Sequence, residues 1–118
     1  MTDGVWIAFL IAAAVGACGR YLLDSSMPFP WGTCVVNISG SFVLGLITGL
    51  ALYHGLGVDS KLVFGTGFCG AYTTFSTFTY ETVRLAEEHE IAGALKNVVA
   101  SLLLPALAAA AGLALAML

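Results

Sequence analysis

Apolar residues fill this chain in long, nearly unbroken runs, without the polar face that a water-exposed helix or strand presents every second or third position. A helix crosses the hydrocarbon of a bilayer with about 20 mostly apolar residues. Four runs reach that length. The first extends from about Val5 to Leu23 and contains Arg20, and the second from Trp31 to Tyr53 without a charge. The third extends from Leu62 to Tyr80, also uncharged, and its helix is expected to continue to 85. The fourth starts at Ile91, holds Lys96 near its start and Pro105 inside it, and is expected to end near 117. Short polar connections (Asp24 to Pro30, His54 to Lys61, Ala86 to Glu90) leave no room for an extramembrane domain. The expected architecture is an all-α membrane protein, a single domain over 1–118 with four transmembrane helices at about 5–23, 31–53, 62–85 and 91–117.

Composition narrows the function classes. Of 118 residues, 59% are hydrophobic and 9% charged, where soluble domains carry roughly 25% charge. That excludes a soluble enzyme, a disordered chain and a nucleic-acid binder, since the four Lys and Arg are scattered and form no basic patch. The net charge of −3 carries little information about partners, because Glu87, Glu88 and Glu90 sit together. Cys18, Cys34 and Cys69 form no CxxC pair and are expected to be small buried hydrophobes. His54 and His89, at segment ends, are expected to be solvated. Met1-Thr2-Asp3 lacks a basic start, so the first apolar run is expected to stay in the mature protein. Lys61 and the terminal amine face one side of the membrane, Arg84 and Lys96 the other, with Arg20 inside a helix. A chain with so little bias is expected to insert in both orientations.

Several residues stand out against the apolar background. Arg20 is costly within a span unless it snorkels to the headgroups; it is either an interfacial anchor or a cation at a water-filled vestibule. Asn37 lies deep in the second run, with Ser41 and Thr48 on its face. Such a stripe either glues helices together or offers donors to an anion. Ser41, Gly45 and Gly49 are four apart, as are Ala12 and Gly16. This small-residue spacing permits close helix approach, within one chain or between two copies. In the third run Gly65, Gly67 and Gly70 precede Thr73, Thr74, Ser76, Thr77 and Thr79. That order predicts a helix broken near its middle, with freed carbonyls able to bind a cation; the alternative is an unbroken helix whose hydroxyls bond back to i−4 carbonyls. Phe75 and Phe78 share a helical face, where the pair either only packs or presents positive ring edges to an anion. Glu81 and Arg84 are spaced to pair. No nucleophile–base pair or metal-ligand cluster points to an enzyme, and no catalytic residue is expected.

Taken together, Gly19-Arg20-Tyr21, Trp31-Gly32-Thr33, the stretch Val36-Asn37-Ile38-Ser39-Gly40-Ser41-Phe42 and the stretch from Gly67 to Phe78 (Gly-Phe-Cys-Gly-Ala-Tyr-Thr-Thr-Phe-Ser-Thr-Phe) closely resemble the small fluoride channels of the CrcB (Fluc) type. The resemblance covers essentially the whole chain. It implies a passive, fluoride-selective channel in the cell (inner or plasma) membrane that exports fluoride from the cytoplasm and protects against its toxicity. It also implies an antiparallel, dual-topology homodimer with two pores. By resemblance, Asn37 donates to fluoride, Phe75 and Phe78 line the pore with ring edges, and Ser76, Thr77 and Ser101 assist. Arg20 lies at the vestibule. The carbonyls of Gly70 and Thr73 from both copies hold a central structural sodium ion. The implied partners are thus fluoride, a second copy and the lipid bilayer, with no nucleic acid. The fourth run departs from the family pattern, with Asn97 one turn before Ser101 and Pro105 one turn after.

Two other classes compete. A proton-coupled small multidrug transporter needs a carboxylate in the first span, and none lies between Asp3 and Asp24. A non-transporting assembly subunit would tolerate Asn37→Asp or Phe75→Ile.

Overall fold

The computed structural model describes residues 2–118, and within them every regular element is helical. Helix α1 spans Asp3–Ser25 and α2 spans Trp31–Tyr53. A short turn, Val58–Ser60, leads into a π-helical stretch, Lys61–Cys69, and a last turn, Gly70–Tyr72. These three make one continuous arm over 58–72, α3. After a break at 73–75, α4 spans Ser76–Glu87 and α5 spans Ile91–Ala116.

Three helices (α1, α2 and α5) are each long and apolar enough to cross a membrane uninterrupted. The third apolar run, expected over 62–85 and broken near its middle, folds as two arms, α3 and α4, neither long enough to cross alone. The break falls three residues beyond the last glycine, at the β-branched pair. The glycine stretch stays helical but widened, with Gly70 N–H donating to the Gly65 carbonyl five residues back. The hydroxyl back-bonding alternative holds at the same time on either side: Thr73, Thr79 and Thr82 donate to the carbonyls of Cys69, Phe75 and Phe78 at 2.9, 3.0 and 2.9 Å.

The core is the seam between α2 and α5, which run in the same direction. A Cβ on Gly45 would lie 2.1 Å from the Ala109 carbonyl oxygen, one on Gly49 2.4 Å from the Ala116 Cβ, and one on Gly112 2.2 Å from the Phe42 carbonyl oxygen. Between the two readings of the small-residue face, the structure selects close packing within one chain. His54, expected to be solvated, is exposed but tied down: its Nε2 lies 2.6 Å from the Ala116 carbonyl oxygen and links the ends of α2 and α5. On α1, Gly16 meets the Phe68 carbonyl of α3 at a hypothetical Cβ distance of 2.4 Å. Cys34 and Cys69 are buried as expected, whereas Cys18 is exposed on α1. The reading of the Met1 end lies partly outside the described residues.

Candidate functional site

Breaking a helix inside a membrane frees backbone groups that have no water to turn to. Thr73 leaves the helix with φ −83° and ψ 157°, which strands the peptide groups around Thr74. Asn37, from the second turn of α2, splints them. Its Oδ1 accepts the Thr74 N–H at 2.8 Å, and its Nδ2 donates to the Thr74 carbonyl at 2.8 Å. One Nδ2 hydrogen is left over. The Thr74 hydroxyl in turn accepts the Thr77 N–H at 3.2 Å, capping the first turn of α4. It also lies 3.0 Å from Thr77 Oγ1 and 3.3 Å from Ser76 Oγ. Ser76 and Thr77 therefore belong to one hydroxyl cluster around Thr74.

Beside this splint lies an open cleft of about 200 Å³, walled by Asn37 and Ser41 of α2, Thr73, Thr74 and Phe75 of the break, and Ser101 with Pro105 of α5. From its α5 wall a chain of hydrogen bonds runs inward. Ser101 Oγ donates to Asn97 Oδ1 at 3.2 Å, and Asn97 Nδ2 donates to Thr82 Oγ1 at 2.9 Å. Asn97 is only 2% exposed, so its carboxamide is satisfied inside the protein. Thr48, expected to extend the Asn37 stripe, instead lines a separate groove with Leu44 and Ala109.

Phe75 and Phe78 meet edge-on, with ring centroids 5.3 Å apart and planes at 67°. The two rings touch, as their spacing suggests, but differ in burial: Phe78 is buried while Phe75 is 71% exposed, because Phe75 sits on the break and only Phe78 on the helix. No hydrogen-bond donor among the described residues reaches the carbonyls of Gly70 to Thr73. Nothing lies within 4 Å of a Cβ placed on Gly70. Arg20 is half-buried, and its Nε has no partner among the described residues. The expected Glu81–Arg84 pair does not form. Arg84 bonds Glu88 instead at 3.1 Å, an i,i+4 contact, and its guanidinium lies 4.8 Å from the centre of the Phe29 ring. Glu81 is 6% exposed, and its Oε1 has no partner among the described residues.

The family model described as "CrcB-like protein, Camphor Resistance (CrcB)" matches residues 7–113. The chain belongs to the CrcB family. It is similar to the fluoride-specific ion channel FluC 1 of Leifsonia xyli subsp. xyli, 46% identical over 119 residues that cover 96% of this chain and 87% of that one. It is similar to FluC 2 of Mycobacterium tuberculosis H37Rv, at 42% over 118 residues, covering 95% and 90%. A third relative, FluC 2 of Cutibacterium acnes, is 48% identical over 89 residues, covering 70% and 71%. Membership in this family, with helices able to span a bilayer, makes this CrcB chain a multi-pass membrane protein.

Within this member of the family, the fold brings together Asn37, Phe75 and Ser101 at one cleft and groups Ser76 with Thr77 behind it. Arg20 is not among the residues that line the cleft. Sequence reasoning did not single out Thr74, whose backbone and hydroxyl organise the break, or Thr82, which links the Asn97 chain to α4. The available signal was the density of hydroxyls after Gly70: one of them had to cap the second arm.

Proposed function

We propose that this chain is a fluoride-selective, passive ion channel that exports fluoride from the cytoplasm, works as an antiparallel homodimer with two pores, and is not an enzyme. The observation that carries this reading is the braced break: Asn37 holds an interrupted membrane helix open beside a polar cleft, in a chain whose relatives are named fluoride-specific ion channels.

The physical requirement is replacement of water around a small, strongly hydrated anion by donors that bind weakly enough to release it. The residues for this are the spare Asn37 N–H, the hydroxyls of Ser76, Thr77 and Ser101, and the positive edges of Phe75 and Phe78. Arg20 supplies positive charge at the approach. Fluoride enters cells in acidic surroundings as neutral hydrogen fluoride and dissociates inside. The negative internal potential then drives the anion out through any selective path, so no coupling to an energy source is needed.

Exposure of Phe75, against a buried Phe78, supports a lining completed by a second copy. The carbonyls of Gly70 and Thr73 fit a sodium ion: they are hard oxygen donors left free by the break. When bound between two copies, that ion would supply a fixed positive charge that holds the freed carbonyls in place.

The test is fluoride efflux from liposomes loaded with purified protein, with chloride as control. Rapid fluoride efflux with negligible chloride efflux is expected, reduced by Asn37→Asp and by Phe78→Ile. Absence of fluoride-selective efflux overturns the channel reading. Unchanged efflux after long sodium-free dialysis overturns the sodium reading alone.

A further inference from the structure

Away from the cleft, the outer face of α5 carries a groove that the channel reading does not use. Its volume is about 530 Å³, and its walls include Trp31, Val99, Ala100, Leu103 and Leu104, with Lys96 as the one charged residue. Trp31 is 44% exposed. Lys96 is exposed and makes no ion pair or hydrogen bond among the described residues.

Because α2 and α5 are parallel, Trp31 and Lys96 lie at the same membrane edge, each near the start of its helix. From Lys96 to Leu104 the groove descends about 12 Å towards the membrane centre, at 1.5 Å per residue. An indole and an ammonium at the interface, above an apolar channel of that length, have the polarity of a phospholipid turned inside out. The aromatic ring belongs at headgroup level, and the lysine stem reaches upward to set its charge there.

We propose that this groove seats an acyl chain of an anionic phospholipid, whose phosphate is held by the Lys96 ammonium beside Trp31. A zwitterionic lipid fits the walls equally well but gains less from the cation. The charge, and not the groove, sets the preference.

Trp31 is itself the reporter. In a Trp6→Phe background it is the only tryptophan, and brominated lipids quench it on contact. Protein in mixed vesicles is titrated with brominated phosphatidylglycerol or brominated phosphatidylcholine at equal mole fractions. The expected result is about fivefold stronger association of the glycerol lipid, the factor given by about 1 kcal/mol per basic residue near a surface. Lys96→Gln brings the ratio to about one with total quenching retained, and Lys96→Arg keeps the preference. Equal quenching by both lipids in the parent protein, or a preference that survives Lys96→Gln, overturns the proposal. So does failure of either lipid to quench Trp31, which would mean that a second copy covers the groove. None of these outcomes depends on fluoride conduction.

Discussion

At the residue scale, Asn37 shows how one side chain solves a problem created elsewhere in the chain. A carboxamide matches a peptide group donor for acceptor, so it replaces both bonds that the Thr74 peptide groups lose at the break. Asn37→Ala would leave a part-buried N–H and a part-buried C=O without partners, each costing up to about 1–3 kcal/mol. Asn37→Asp keeps the acceptor but turns a carboxylate oxygen towards the Thr74 carbonyl. Both variants should lose about tenfold in fluoride efflux, the factor corresponding to about 1.4 kcal/mol, which lies within the cost of one such group. Parental flux from Asn37→Ala would refute the splint. The phenylalanine pair offers a separable test. Phe78 is buried, and its truncation to Ala should cost about 3–5 kcal/mol of stability. Phe75 is exposed within one chain, so Phe75→Ala should destabilise thermal unfolding in detergent less than Phe78→Ala does while lowering fluoride efflux. Equal destabilisation by the two would show that Phe75 is only a packing residue.

At the element scale, the organising contact is α2 against α5. Backbones there approach so closely that only glycine fits at positions 45 and 112, because a Cβ would overlap carbonyl oxygens and not flexible side chains. Overpacking typically costs about 1–3 kcal/mol and more where backbone must move. Gly45→Leu or Gly112→Leu should therefore lower the unfolding temperature sharply or abolish a monodisperse peak on size exclusion. Gly70→Ala, with open space around its Cβ within one chain, should disturb the fold of the chain far less than Gly45→Leu does. If Gly45→Leu is harmless, the α2–α5 seam is not the core. The broken third segment follows the opposite logic. Gly67 of α3, against Phe9, and Gly16 of α1, against Phe68, let those two helices pack closely, and the two arms remain stable because hydroxyls and Asn37 satisfy the junction.

At the scale of the whole molecule, the chain presents far more apolar surface than it hides. Of the 23 residues of α1 only Gly16 is buried, and Leu10, Val15 and Leu22 are all more than half exposed. Lipid covers most of this surface, and the proposed second copy covers the part near Phe75 and Gly70. With Lys61 on one side and Arg84 and Lys96 on the other, the charges that orient a membrane chain nearly cancel. C-terminal reporter fusions should therefore be active on both sides of the membrane. Activity on one side alone would rule out an antiparallel pair.

Hydropathy placed the helices here because crossing hydrocarbon is a demand each segment meets alone: α2 begins and ends at Trp31 and Tyr53 where the apolar run does, and α1 and α5 differ by a residue or two. Local chemistry likewise marked the third run as interrupted, since glycines followed by β-branched hydroxyl residues weaken any helix. Pairing between distant segments has no such local signature. That Asn37 grips Thr74, that Gly45 faces Ala109 and not a second copy, that Arg84 chooses Glu88, and that Phe78 is buried while Phe75 is exposed, all depend on which surfaces meet. Those meetings are set by backbone clearances of a few ångströms between helices far apart in sequence, a quantity that residue spacing along one helix does not contain.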